Sequence, residues 1–261
     1  TGNLWTTTDP LSHITEMTYD PAGNLKTILD AEGMTTTYTY DPRNNNLRLV
    51  EDKLRNITQY RYDNVGNLMY VIDAKTNTTE ITYNALNLLS SILNPLGKTK
   101  QFTYNADRLL GRILDAKGQE STFEYDAAHQ LKFKYLPEET VSYGYDTGGN
   151  LNAVQDSDSK LSFIYDRLNR LTKAQTLSGY LQPATTIDYT YDKNNNRLTI
   201  KNPQAVTFKY FYDNLNRLTD LKDSAGITTF AHYDYDLLSR RTGLNYLNNT
   251  KTTYSYDLAS Q

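Results

Sequence analysis

Carboxylates are the commonest groups in this sequence that could do chemistry, and Asp20 and Asp41 hold equivalent places in two neighbouring "YDP" stretches. Held roughly 5 to 9.5 Å apart in a cleft, such a pair could cleave a glycosidic bond. Each, however, opens a turn signal, where a side-chain oxygen caps backbone donors, and the turn role is the favoured one. The three histidines divide poorly into a metal site: His129 falls in a turn, and His13 and His232 lie near opposite ends of the chain. The "DSDS" at 156–159 alternates oxygens as a calcium loop does, but it lacks the glycine and the distant glutamate of an EF-hand and reads as a plain turn. With no cysteine there is no thiolate nucleophile, disulfide or cysteine zinc site. No nucleophile elbow, phosphate loop or His-Glu-x-x-His motif occurs either. The expectation is a protein that is not an enzyme and needs no metal or cofactor.

What the aspartates belong to is a repeat. Tyr19, Tyr40, Tyr62, Tyr83, Tyr104, Tyr125, Tyr145, Tyr165, Tyr191, Tyr212, Tyr235 and Tyr256 recur at intervals of roughly 21 residues. Two positions before each lies another large apolar or aromatic residue, among them Met17, Tyr38, Tyr60, Ile81 and Phe102. A spacing of two among β-formers marks a strand with one buried face. Asp or Asn follows each tyrosine, and "DPAG" at 20–23 has the preferences of a type I turn. The fourth slot holds Gly23, Gly66, Asn87, Arg108, His129, Gly149, Asn169, Asn216 and Ser239, mostly residues that accept a left-handed backbone and so close a hairpin. The turns after Tyr40 and Tyr191 are read as one residue longer.

A leucine then opens the return strand, as at Leu25, Leu47, Leu68, Leu89, Leu110, Leu131, Leu151, Leu171, Leu198 and Leu218. Leu25 and Ile28 are three apart where alternation asks for two, which a bulge reconciles. A second turn follows, as in "DAEG" at 30–33 and "DAKG" at 115–118. The fold class is therefore all-β: one repeat region over 1–261, a long antiparallel meander of about two dozen short strands. Laid flat it would extend over about 100 Å with one aromatic face bare, so it must curl or spiral with the Tyr/Leu face inward, as a partial shell.

Composition narrows the partners. A net charge of -3 with both signs interspersed gives no footprint for nucleic acid, and the pairs Lys98/Lys100 and Arg240/Arg241 read as solvated surface. No run is apolar enough for a membrane span. The chain opens on Thr without a leader pattern, as a piece of something longer would. Asn56, Asn77 and Asn248 head glycosylation sequons that matter only in a eukaryotic secretory pathway. Tyr180 and Leu181, in the irregular "LSGYLQPATT" at 177–186, are the expected place for a local partner contact.

Copies such as "YTYDPRNNNL", "YRYDNVGNL", "YGYDTGGNL" and "YFYDNLNRL" resemble the tyrosine-aspartate (YD), or RHS, repeat found in bacterial RHS toxins, toxin-complex B and C components, wall-associated proteins and teneurins. On that resemblance the repeat motif falls on Tyr19, Asp20, Gly23, Tyr40, Asp41, Tyr62, Asp63, Gly66, Tyr145, Asp146, Gly149, Tyr165, Asp166, Tyr191, Asp192, Tyr212 and Asp213. The resemblance implies a strip of sheet wound into a hollow shell, part of a large secreted or cell-surface protein, that encloses a polypeptide such as a toxin or displays an adhesive surface. The family's Asp-Pro-x-Gly-Leu segment, which carries a self-cleaving protease, does not occur: "DP" at Asp9, Asp20 and Asp41 continues otherwise. Family shells use far more strands, so this chain is expected as an open arc, a short spiral or half of a dimer, prone to self-association through its sheet edges. The alternative function is a carbohydrate-binding or adhesion module that stacks glycans on exposed tyrosines.

Overall fold

The computed structural model describes residues 3–177 and 184–256, which form 24 β-strands and no helix. The chain starts with β1 (Leu4–Thr8), β2 (Ile14–Tyr19), β3 (Leu25–Leu29), β4 (Thr35–Tyr40), β5 (Leu47–Glu51) and β6 (Ile57–Tyr62). The same alternation of strand and tight turn continues to β23 (Arg241–Tyr246) and β24 (Lys251–Tyr256). Each strand pairs antiparallel with its sequence neighbours. Tyr180 and Leu181 lie outside the described residues.

β1 also pairs with β24, so the meander closes into a ring. This corrects the expectation of an open arc, a short spiral or half of a dimer. It also removes the sheet-edge route to self-association, because each terminal strand satisfies the other's backbone groups. The closing register has a specific form. In an ordinary YD hairpin Thr18 faces Thr27 and Tyr19 faces Leu25, with Lys26 bulged out. At the closure Ser255 faces Thr6 and Tyr256 faces Leu4, with Trp5 in the bulged place. The last YD hairpin is thus assembled from the two ends of the chain, with the pairing of the others.

Register also sets the width of the ring. Following pairs straight across the sheet leads from Thr18 to Thr27, Thr37, Glu51 and Ile57. Thr18 precedes its repeat tyrosine by one residue, whereas Ile57 precedes Tyr62 by five, a stagger of two residues per hairpin. Carried round the ring, the total stagger is about equal to the strand number, the relation that in a (β/α)₈ barrel accompanies a tilt of about 36°. A ring of this size is about 40 Å across between backbones. Side chains cannot fill that width. Only Ala231 (6% exposed) and Leu244 (9%) count as buried core among the described residues, and no large side chain is fully buried. The molecule is a strip whose rings and leucines cover one another, with no packed centre.

The described YD turns lie at one rim and the described second turns at the other, since strand direction alternates. The expected bulge is present in every YD hairpin, as between Thr18 and Tyr19 or Arg61 and Tyr62. The fourth-slot residues all take positive φ, from 58° at Asn87 to 93° at Gly66. The turn after Tyr40 is one residue longer, Asn45 N–H donating to the Asp41 carbonyl at 2.9 Å. The turn after Tyr191 is not: Asn195 is in the ordinary fourth slot, and Tyr191 pairs with Arg197. Leu198 therefore occupies the bulge and is exposed, and Arg197 takes the leucine slot.

Candidate functional site: the tyrosine face and its turns

Strand alternation places each repeat tyrosine, the residue two before it, the residue that pairs with the tyrosine, mostly Leu, and the residue three further on, mostly aliphatic, on one face. Tyr19 and Met17 pair with Leu25 and Ile28, for example, and Tyr60 with Val71. These side chains are half-buried, while Glu16 and Thr18, or Gln59 and Arg61, which point the other way, are exposed.

The phenol ends are engaged. The hydroxyls of Tyr19, Tyr62, Tyr83, Tyr104, Tyr125, Tyr145, Tyr165, Tyr191 and Tyr235 each donate to the carbonyl of a leucine that opens the preceding return strand, at 2.8 to 3.1 Å. Tyr212 and Tyr256 donate in the same way to the carbonyls of Arg197 and Arg241, at 3.0 and 2.7 Å. Between β5 and β6 the ladder stops at Leu49 and Gln59, so the Leu47 carbonyl lies beyond it. The Tyr62 hydroxyl reaches across that gap and ties neighbouring YD hairpins where the backbone no longer does. Burial of the ring pushes the phenol pKa up at Tyr62, Tyr125 and Tyr165.

The turn aspartates are structural in the same concrete sense. Asp20 Oδ1 accepts the N–H groups of Ala22 and Asn24 at 3.0 and 2.9 Å, and Oδ2 accepts the Asn24 side-chain amide at 3.0 Å. The Asn24 amide, then its backbone N–H, hold the Asp20 carboxyl below the usual range. Asp41 Oδ1 likewise accepts from Arg43 N–H at 2.8 Å. Both carboxylates considered for glycosidase work are thus occupied by their own turns. Asp156 accepts from Asp158 and Ser159, the plain turn expected of "DSDS". His129 has φ 62° in its turn slot, and His13 Nδ1 lies 3.0 Å from Asp9 Oδ2. His232 lies between Asp220 (2.9 Å) and Asp234 (3.3 Å) on the face away from the rings. Among the described residues no group of His, Asp and Glu is arranged to hold a metal ion.

The residue after the fourth slot links one turn to the next. Where it is Asn, as at Asn67, Asn150 and Asn196, the amide donates to its own turn aspartate and to Asn87, Asn169 or Asn216 of the following turn. Where it is Arg, the guanidinium does both and also stacks on the following tyrosine. Arg170 donates to Asp166 Oδ2 at 2.7 Å and to the Asp192 carbonyl at 2.8 Å, and lies 4.8 Å from the Tyr191 ring centre. Arg217 repeats the pattern with Asp213, Asp236 and Tyr235.

Sequence reasoning missed Arg197 and Arg241 as members of the ring face. They replace the slot leucine, and their guanidinium carbons lie 4.4 and 4.7 Å from the ring centres of Tyr210 and Tyr254. Arg197 Nε is shielded from solvent and has no hydrogen-bond partner. Counting five residues on from the turn aspartates Asp192 and Asp236, without aligning on leucine, would have found both.

A closed all-β ring of repeated hairpins, all but one of the repeat tyrosines tied to a carbonyl and each described turn after them led by Asp or Asn, defines a YD-repeat shell. The Teneurin YD-shell family model matches residues 112–261, more than half of the sequence, and the RHS Repeat model matches residues 19–48. The chain belongs to the teneurin YD-shell family. No curated protein matches it. Among solved structures, TcdB2-TccC3-TEV superposes with a TM-score of 0.52 at 18% identity, over 95% of this chain and 15% of that one. A Photorhabdus luminescens Tc holotoxin pore matches with a TM-score of 0.45 at 16% identity, over 95% of this chain and 17% of that one. The chain thus spans about 15% of the length of the TcdB2-TccC3-TEV chain whose fold it shares.

Proposed function

We propose that this chain is a non-enzymatic shell element of a large secreted or cell-surface protein, whose ring face looks inward and which encloses or displays another polypeptide. One observation carries the reading: a closed 24-stranded ring that the side chains of the described residues do not fill. A single-layer sheet of this size leaves space for a chain to pass or reside. The half-burial of the rings supports the inward orientation, because side chains converge on the concave side of a ring and splay apart on the convex side. The opposite face, with Glu16, Arg61, Glu124 and Lys173, mixes charges of both signs and suits bulk water. A glycan platform is the weaker reading, since the tyrosine hydroxyls that would grip sugar already donate to backbone carbonyls.

The test is protease protection of an unstructured polypeptide fused to the C-terminus of the chain, which follows β24, whose last residue Tyr256 lies at the YD rim. Cleavage slowed at least about tenfold relative to the same polypeptide on an unrelated carrier supports enclosure; equal rates would count against it. Solution scattering on the unfused chain supplies the second readout, a hollow ring about 40 Å across.

A further inference from the structure

The ring face differs from every other surface of this protein in its charge. Among the described strand residues it carries no carboxylate, and its charged side chains are Lys100, Lys134, Arg197 and Arg241. The chain as a whole is negative, at -3. Its acids are confined to the turns and the opposite face, where they meet cations: Arg112 with Glu120 at 2.7 Å, and Lys173 with Asp188 at 3.7 Å. The four ring-face cations have no ion pair of this kind with any described residue. Lys100 lies over Phe102 and senses Asp115 of a turn only at a distance. Arg197 and Arg241 lie over tyrosines, and the Arg197 Nε proton has nothing to donate to.

Arginine in a slot that otherwise holds leucine is not required for the hydrogen bonding of the strip. The backbone carbonyls of Arg197 and Arg241 receive the tyrosine hydroxyl as the leucine carbonyls do, so either residue serves the Tyr–carbonyl tie. Guanidinium stacked on a phenol ring is weakly hydrated, held flat, and keeps its edge donors free for a carboxylate. Arg197 and Arg241 sit in the same slot four strands apart, about 20 Å round the ring, with the apolar slot residue Leu218 between them. An anionic group at each, with apolar side chains between, matches that spacing.

We infer that the ring face binds an acidic polypeptide segment that also presents apolar side chains, with Arg197 and Arg241 as its carboxylate receptors. This rests on the enclosing role proposed above and names the chemical class of what is enclosed. Positive charge within a concave, low-dielectric wall concentrates anions and repels cations.

The test titrates the intact chain, at about 0.01 M salt, with three unstructured peptides of equal length. They carry Leu and Gly at the same positions and Glu, Gln or Lys at the remainder. The Glu peptide should bind at least about tenfold tighter than the Gln peptide and the Lys peptide weakest. The preference should shrink to within about twofold in the R197L/R241L variant, whose new leucines restore the residue of the other slots and so keep the ring folded. Equal binding of all three, a preference for Lys, or a Glu preference untouched by the substitutions would overturn the charge assignment while leaving enclosure standing. Failure of every peptide to bind would overturn both.

Discussion

The Tyr62 hydroxyl donates to the Leu47 carbonyl at 2.9 Å, across fifteen residues of sequence and past the end of the β5–β6 ladder. A backbone acceptor left over by the divergence of two hairpins is thereby satisfied by the residue that also supplies their largest ring. Tyr40 is the exception among the described copies, with no such bond. Replacing Tyr62 by Phe should cost about 1 kcal/mol, the net worth of one partly buried hydrogen bond, with the ring packing kept. Tyr40→Phe should be close to neutral. Urea unfolding of the two variants decides this, and equal losses would show that the hydroxyl is idle.

The turn slot gives a second contrast. Arg108 holds φ 63° where a side chain is strained, and Gly66 holds φ 93° where none is present. Arg108→Gly should stabilise by about 0.5 to 1 kcal/mol, because relief of a left-handed backbone outweighs the freedom glycine gains when unfolded. Gly66→Ala should destabilise by about 1 kcal/mol. Space is not the cause there, since a Cβ on Gly66 would meet only the Asn46 amide, 3.9 Å away. Thermal unfolding of both variants measures the sign.

How far the sequence reached follows from the same residues. The strands, bulges and left-handed slots were legible because a two-residue period and a fixed turn chemistry are local, as at Tyr19, Asp20 and Gly23. Closure was not, because the pairing of Tyr256 with Leu4 depends on stagger summed over every hairpin, and no short window contains that sum. Arg197 was hidden by a leucine one position later that mimics the slot. The rim ladder from Asn67 to Asn87 joins turns of neighbouring repeats, and the turn signature of a single copy does not reveal it.

Closure makes its own prediction. With β1 paired to β24, the intact chain should run as a monomer at all concentrations. Removing residues 1–8 deletes β1 and bares the edges of β2 and β24, which carry Thr and Tyr and no protecting proline. The truncated chain should associate as concentration rises, seen as a growing mass by light scattering. A truncated chain that stays monomeric would mean that the ring owes little to its closing pair.

The pH response follows from two sets of groups of opposite sign. Asp20, Asp52, Asp73 and Asp146 are held below the ordinary carboxylate value by a side-chain hydrogen bond from the following Asn, and Asp166 by one from Arg170, with turn N–H groups adding to it. A depressed folded pKa gives stability that is present above the unfolded value, about 3.9, and is lost as pH falls through the folded value. Tyr40, Tyr62, Tyr145 and Tyr212 shift the other way through desolvation. Their contribution is complete below the unfolded value of about 10 and is lost as pH rises through the folded one. The melting temperature should therefore form a plateau between about pH 5 and 9 and fall steeply on both sides. On the alkaline limb, phenolate absorbance should appear together with loss of the strand signal in circular dichroism. Phenolate appearing at the pH of free tyrosine, with the strands intact, would show that the rings and their hydroxyls are not held as described.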